Sequence, residues 1–201
     1  MKKGGWLMKN MKYVIIAAAC ICLICAGFYF FSKDKTTTEA DLTEVEKVIT
    51  RDLEENYPKT PREVVKFYNR IICCYYGEDL KDSEIDKLVD QTLLLLDKDL
   101  LLVNPREEYR ESIVSDIQKY KTEKKKVVSS DVCSSNEVKY VDDVKEGSTE
   151  VDKIAYVDAS YFINTSGDFG YSYQEFVLRQ DEEGRWKILV FYEVEGEPSD
   201  D

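Results

Sequence analysis

The sequence contains no histidine in its 201 residues. That absence removes the commonest general base, the Ser-His and Cys-His nucleophile pairs, and most zinc sites. Glycine is also scarce, since the nine glycines are scattered and none forms a GxxxxGK or GxGxxG phosphate-binding loop. Nucleotide-dependent enzymes are therefore disfavoured, and the sequence predicts no catalytic residues, no cofactor and no metal site.

Acidic residues are missing from the start of the chain, where none precedes Asp34. The first twelve residues carry four lysines, and residues 13–31, YVIIAAACICLICAGFYFF, carry no charge. A helix that rises about 1.5 Å per residue spans roughly 28 Å over this run, close to the ~30 Å hydrocarbon thickness of a bilayer. We therefore predict one transmembrane helix, from Tyr13 to Phe31, in contact with the lipid bilayer.

Two other interpretations of this run stay open. The alanines before Cys20 resemble a cleavage or lipoprotein box, but a cut there leaves too short an apolar stretch before it and an apolar tail after it. The thiols of Cys20, Cys22 and Cys25 fit either as small buried hydrophobes or as palmitoylation sites. A retained anchor is the preferred interpretation.

Flanking charge predicts the orientation of this anchor. The positive-inside bias makes residues 1–12 a cytoplasmic tail and places the chain after Phe31 outside the cell membrane. This exported part keeps 24 of the 28 Lys and Arg residues and all 40 Asp and Glu residues, a net charge of about −16. Such a surface repels polynucleotides, so we expect no nucleic-acid partner.

The exported part begins with a polar tether and continues into helices. Residues 32–59 are interpreted as this tether followed by an amphipathic helix, with its apolar stripe from Leu42 to Leu53 and its end near Tyr57-Pro58. In the second helix Thr60 is expected to cap, Pro61 to take the first position and Glu63 to close a capping box, with Gly77 at the end.

Two further helices are expected before the pattern changes. The third is predicted from about Ser83 to Leu96, with Asp82 or Ser83 as the cap, and the fourth begins with Asn104 as the cap and Pro105 in the first position. After Lys126 the sequence is rich in β-branched and aromatic residues, which predicts five strands. They are Val127–Cys133, Val138–Val141, Ile154–Asn164, Phe169–Gln180 and Trp186–Val194.

Helices followed by an antiparallel sheet predict an α+β domain in which the helices cover one sheet face. We place this domain at residues 60–195 and an acidic tail at residues 196–201. Gly184 is expected to form the turn of the last hairpin, RQDEEGRW.

The exported part contains three cysteines and several acidic clusters. Cys74 or its neighbour Cys73 is a possible disulfide partner of Cys133, although free thiols are the preferred interpretation. Adjacent cysteines without CxxC spacing are not typical of a redox enzyme. The pairs around Asp142 and Glu182 lack the ligand spacing of a calcium loop, so they are interpreted as solvated turns.

Several motifs carry a resemblance to known families. Helices followed by a curved meander, with Trp186 near the start of the last strand in GRWKIL, resemble the nuclear transport factor 2-like superfamily, a cone-shaped fold with a cavity between helices and sheet. TPREVVKFYNRI, NPREEY, VDASYFI and YQEFVLRQDEEGRWKIL resemble an uncharacterised family of single-pass membrane proteins of Gram-positive anaerobic bacteria, defined only as a domain of unknown function. This resemblance covers roughly Leu42 to Val194 and implies fold and location but no reaction.

The resemblance to the cone-shaped fold implies a candidate ligand pocket between the helices and the sheet. Tyr156, Asp158 and Phe162 share one face of a predicted strand, and with Trp186 they could line a small-molecule cavity. Enzymes of that superfamily use a cavity carboxylate as a base, which gives Asp158 a catalytic alternative. The competing interpretation, which we prefer, is that these rings fill the core.

The expected function is a membrane-anchored, exported binding or scaffold domain without enzymatic activity, which binds another envelope protein or a small ligand. One alternative is an assembly component of a conjugation or type IV secretion-like envelope complex, because such proteins also place a nuclear transport factor 2-like domain after one N-terminal helix. The other is a small-molecule pocket protein or a cavity enzyme of the isomerase or hydrolase type.

Overall fold

The computed structural model describes residues 42–144 and 151–196. The predicted cytoplasmic tail, the transmembrane helix at 13–31, the tether at 32–40, and all of the acidic tail except Gly196 lie outside the described residues. Within the described part, no helix is both long enough and apolar enough to cross a membrane. From Thr43 onward the described residues belong to one compact unit.

Within the described residues five helices precede five strands, which confirms the predicted α+β class with helices before the sheet. The helices are α1 (Glu44–Ile49), α2 (Pro61–Gly77), α3 (Asp82–Leu95), α4 (Lys98–Val103) and α5 (Arg106–Thr122). The strands are β1 (Lys125–Val132), β2 (Lys139–Val144), β3 (Val151–Thr165), β4 (Asp168–Gln180) and β5 (Trp186–Val194).

Helix α1 is shorter than the sequence predicts. It begins with a capping box between Thr43 and Glu46 and ends at Ile49 rather than near Tyr57. Beyond it the Asp52 carboxylate accepts hydrogen bonds from the backbone N–H groups of residues 54 and 55, at 2.9 and 3.1 Å. These side-chain bonds compete with helical ones, so the chain turns. Leu53 still reaches the core.

Helix α2 confirms its predicted boundaries. The Thr60 hydroxyl accepts from the Glu63 N–H at 3.2 Å, and the Glu63 carboxylate accepts from the Thr60 N–H at 3.2 Å. The helix ends at Gly77, where a Cβ atom would lie 2.8 Å from the carbonyl oxygen of Val127 on β1. Glycine therefore allows the end of α2 to approach the backbone of β1.

The caps predicted for the third and fourth helices are wrong. Helix α3 begins after Lys81, whose backbone N–H donates to the Glu84 carboxylate at 2.8 Å, so neither Asp82 nor Ser83 caps it. Asn104 does not cap α5 either, because its side-chain amide donates to the Leu100 carbonyl at 2.9 Å and closes α4, a helix that the sequence did not predict. Helix α5 follows with Pro105 at its N-cap.

The sheet is antiparallel, with β3 at its centre. The strand order is β1-β3-β4-β5, and β2 pairs with the same strand β3 beside β1. A two-residue turn, Ser166-Gly167, joins β3 to β4. Both residues have positive φ, +56° and +103°, as is typical of two-residue hairpin turns. Gly184 has φ of +79° in the β4–β5 turn, as predicted.

The helices cover one face of the sheet, and the core lies between the two layers. Along β3, alternate residues face this core and are buried, and the Tyr161 hydroxyl donates to the buried Asn69 of α2 at 2.6 Å. From β4 and β5 the buried side chains include those of Phe176, Leu178 and Ile188. We call the opposite face of the sheet the open face.

One buried charge cluster attaches the segment before α4 to the sheet. The Asp97 carboxylate, 3 % exposed, accepts from Arg179 of β4, with one contact at 3.0 Å. Arg179 also contacts Asp99 at 2.6 Å and Asp152 of β3 at 3.7 Å. The Asp97 N–H donates to the Ile188 carbonyl of β5 at 2.8 Å. Helix α4 itself has no fully buried residue, so these polar contacts and the half-buried Leu100 and Leu101 together attach it.

Candidate functional site

The four residues predicted to line a pocket do not lie together. Tyr156, Asp158 and Phe162 alternate with the buried residues of β3 and therefore lie on the open face. Trp186 pairs with Gln180 and lies on the helix-covered face, where it is buried and its carbonyl accepts from the Tyr57 hydroxyl at 2.8 Å. A cavity between helices and sheet cannot be lined by all four.

The possible disulfide between Cys74 and Cys133 is not formed, and both are free thiols. Strand β1 runs antiparallel to α2, because Cys73 contacts Ser130 at 3.6 Å whereas the Cys133 carbonyl accepts from Arg62 at 2.5 Å. Arg62 and Cys74 are twelve residues apart, roughly 18 Å along the helix axis. A bridge needs Cα atoms within about 7 Å, so this arrangement keeps the two thiols apart.

The open face carries a continuous row of aromatic rings, which we call the aromatic strip: Phe162, Phe169, Tyr171 and Tyr173. Phe162 lies opposite Tyr171 in the β3–β4 ladder, with ring centroids 5.0 Å apart. The Phe162 ring also stacks on Phe169 at 5.2 Å, and Tyr171 stacks on Tyr173 at 6.1 Å. Phe169 and Tyr171 remain 60 % and 61 % exposed. A contiguous exposed apolar patch is typical of an interaction site, whereas exposed apolar residues scattered singly are not.

Two carboxylates lie beside the strip and form what we call the acidic pair. Asp158 of β3 is directly opposite Glu175 of β4, an arrangement of like charges that destabilises a sheet. Tyr192 of β5 lies opposite Glu175, and its hydroxyl donates a hydrogen bond to that carboxylate. The acidic pair is therefore kept at an energetic cost at one end of the aromatic strip.

The pKa of Asp158 reflects both its partial burial and this repulsion. Partial burial first, and then the negative charge of Glu175, raise the pKa of Asp158 above its ordinary value, while Lys139 of the neighbouring β2 opposes the shift. The hydrogen bond to Glu175 raises the pKa of Tyr192. A cationic group placed between the two carboxylates would remove the repulsion, so the chemistry that this surface supports is the binding of an ammonium or guanidinium group.

Sequence reasoning placed Tyr171 and Tyr173 on a strand but did not assign them, Phe169, Glu175 or Tyr192 to a site. A signal was present in the two-residue hairpin Ser166-Gly167, which fixes the register. Once Thr165 pairs with Asp168, Phe162 must lie opposite Tyr171 and Asp158 opposite Glu175.

Other acidic clusters have structural roles. The Asp181 carboxylate accepts from the backbone N–H groups of Glu183 and Arg185 at 3.0 and 2.8 Å, which shapes the β4–β5 turn.

Two grooves lie elsewhere, one between the ends of α2 and α5 and one beside α4. Neither is lined by a residue of the aromatic strip or the acidic pair.

The sequence profile of a domain of unknown function, DUF6715, matches residues 1–191. The chain belongs to the DUF6715 family. The DUF6715 match includes the aromatic strip and the acidic pair and ends within β5. No curated protein matches this DUF6715 chain. Its function is therefore inferred from the chemistry of its own side chains.

Proposed function

We propose that this chain is a membrane-anchored, non-enzymatic binding module whose exported domain docks another envelope protein on its open face. The uncharged run at 13–31 supports the anchor, and the four lysines before it support a cytoplasmic N-terminus with an extracellular C-terminal domain. The order of helices and antiparallel strands supports a nuclear transport factor 2-like fold. The sequence resemblance supports an origin in Gram-positive anaerobic bacteria.

The exposed aromatic strip is the observation that carries the binding role. Aromatic residues are enriched in protein interfaces because they bury a large area at a small entropic cost. The strip lies on two strands that are hydrogen-bonded along their length, so its backbone is already ordered before a partner binds.

The acidic pair defines the chemistry of the partner. A partner that presents a Lys or Arg side chain to Asp158 and Glu175, surrounded by apolar residues that cover the strip, would complement the face. A second copy of the same chain is a poorer fit, because it presents an open face of the same negative charge.

The enzymatic alternative has less support in this arrangement. Asp158 would need an enclosed site to act as a cavity base, whereas it lies on the open face beside Glu175. The type IV secretion-like alternative remains compatible with a docking face, and the identity of the partner decides it.

Site-specific photo-crosslinking in the native membrane tests the proposal. A benzophenone amino acid replaces Tyr171 or Phe169 in the full-length chain, and in a matched control it replaces the exposed Gln118 of α5. We expect a product of one defined mass from the open-face positions only, with its crosslink near a Lys or Arg of the partner. The substitution Glu175→Lys should lower the yield.

Three results would contradict this expectation. Equal products from position 118 contradict a specific face, and an unchanged yield with Glu175→Lys contradicts the assigned partner chemistry. A product that is a dimer of the chain replaces the foreign partner with a second copy. The anchor is tested separately: protease added outside intact cells should remove the C-terminal domain, and full protection contradicts the orientation.

A further inference from the structure

Positive charge is concentrated in one short segment of this acidic chain. Five lysines occupy the eight positions 119–126, interrupted by one acid, Glu123, although the chain has a net charge of −12. They are Lys119, Lys121, Lys124, Lys125 and Lys126. The segment comprises the last turn of α5, the connecting turn and the first residues of β1.

Three of these lysines line a groove of about 380 Å³ between the ends of α2 and α5 and the start of β1. Its wall includes Tyr76 and Tyr120, whose rings stack with centroids 4.3 Å apart. The Lys125 ammonium lies 4.9 Å from the centroid of the Tyr120 ring, where a cation–π contact holds it in place. We call this site the basic groove and define it by Lys121, Lys125, Lys126, Tyr76 and Tyr120.

The charge of the basic groove is only partly compensated. Lys121 lies 3.2 Å from Asp79, but this carboxylate is 99 % exposed, so the pair is weak in water. Glu78 also lines the groove. Within the described part of the chain, no carboxylate forms an ion pair with Lys125 or Lys126. Two ammonium groups are thus unpaired, and a third can exchange its carboxylate for another anion.

General roles of lysine explain only part of the cluster. Lysines in the last turn of a helix complement its dipole, which accounts for Lys119 and Lys121. Lys125 and Lys126 lie on β1, beyond that turn. Lys124 has φ of +50°, a conformation that costs a non-glycine residue about 1 kcal/mol. The sequence thus places a charge where glycine would be more stable.

We propose that the basic groove binds a phosphate-bearing anion, with the ammonium groups of Lys121, Lys125 and Lys126 donating to phosphate oxygens. Lysine is well suited to phosphate as a mobile point charge, and the stacked tyrosines provide an apolar wall for the group that carries the phosphate. The anion has two possible sources with the same chemistry, the headgroup of an anionic lipid and a soluble phosphate ester. Only the lipid source depends on the proposed anchor.

Lysine footprinting of the full-length chain in vesicles tests the site and distinguishes the sources. One sample contains phosphatidylcholine alone, a second adds phosphatidylglycerol, and a third adds soluble glycerol phosphate to phosphatidylcholine vesicles. The acetylation rate of each lysine is then measured by mass spectrometry. We expect several-fold slower acetylation of Lys121, Lys125 and Lys126 when the anion is present, and no change at the exposed Lys66 and Lys87.

Variants that remove one lysine of the basic groove test whether the anion binds there. Lys125→Gln should abolish the slowing at Lys126, whereas Lys66→Gln should preserve it, and Lys126→Gln with Lys121 as the reporter provides a second test. Slowing by phosphatidylglycerol alone identifies the lipid headgroup, and slowing by glycerol phosphate identifies a soluble ester. Unchanged rates in all samples, or equal slowing at Lys66 and Lys87, overturn the proposal.

Discussion

Replacing Gly77 with alanine should destabilise the domain, although alanine is the better helix former. The new Cβ atom would lie 2.8 Å from the Val127 carbonyl oxygen, whereas ordinary van der Waals contact begins near 3.4 Å. Because both groups belong to packed backbone, α2 and β1 must separate by several tenths of an ångström. Overpacking of this kind typically costs about 1–3 kcal/mol.

The gain in helix propensity offsets part of this cost. Gly→Ala in a helix interior gains up to about 1 kcal/mol, and less at a terminal residue such as Gly77. We therefore expect a net loss of about 1–2 kcal/mol in the free energy of unfolding. For a domain of this size that corresponds to a melting temperature about 2–8 °C lower.

Thermal unfolding of the full-length protein in detergent, followed by circular dichroism, measures this shift. Gly170→Ala on β4 is the matched control, because no atom lies within 4 Å of its added Cβ. We expect the control to be neutral or slightly more stable. A Gly77→Ala protein as stable as the parent, or an equal loss in the control, refutes the close-approach explanation.

Three further predictions follow from single side chains. Lys124→Gly should raise the free energy of unfolding in urea by about 1 kcal/mol, because glycine relieves the left-handed conformation at φ +50°; equal or lower stability contradicts this. The pKa of Asp158 is higher in the folded state than in the unfolded state. The ionised Asp158 carboxylate therefore lowers the free energy of unfolding, and this loss grows as the pH rises through the folded-state pKa. Asp158→Asn should therefore be stabilising at neutral pH and without effect below the ordinary pKa of 3.8, and a gain in urea midpoint that is equal at both pH values contradicts the linkage. Burial raises the pKa of the Cys74 thiol to about 12, so alkylation at neutral pH should label the half-buried Cys133 before Cys74, as peptide mapping would show; faster labelling of Cys74 contradicts its burial.

The helices were predictable where their ends are determined by local chemistry. The first turn of α2 is stabilised by its own residues, because the side chains of Thr60 and Glu63 accept from backbone N–H groups of that turn and Pro61 has no N–H. The sequence therefore predicts that boundary. Asn104 shows the limit, because an Asn between two helices can serve the end of one or the start of the next. Helix α4 has only six residues, too few for a periodic pattern to reveal it.

The candidate site was predictable only in part for a different reason. Strand alternation places Tyr156, Asp158 and Phe162 on one face, but it does not say which face the helices cover. That depends on packing between distant elements, such as the contact of Tyr161 with Asn69. The position of Trp186 depends on its pairing with Gln180, and this register placed it on the opposite side from the other three.

The attachment of α4 has a consequence for local motion. None of its residues is fully buried: Leu100 and Leu101 are half-buried against the core, whereas Leu102 and Val103 remain 79 % and 73 % exposed, so this helix buries less apolar area than α2 does. The contacts of Arg179 with Asp97 and Asp99 hold its first turn against the sheet. The opening of α4 should therefore break the contacts of Arg179 and the packing of Leu100 and Leu101 but leave the rest of the core in place, and its amide hydrogens should exchange with solvent before those of α2.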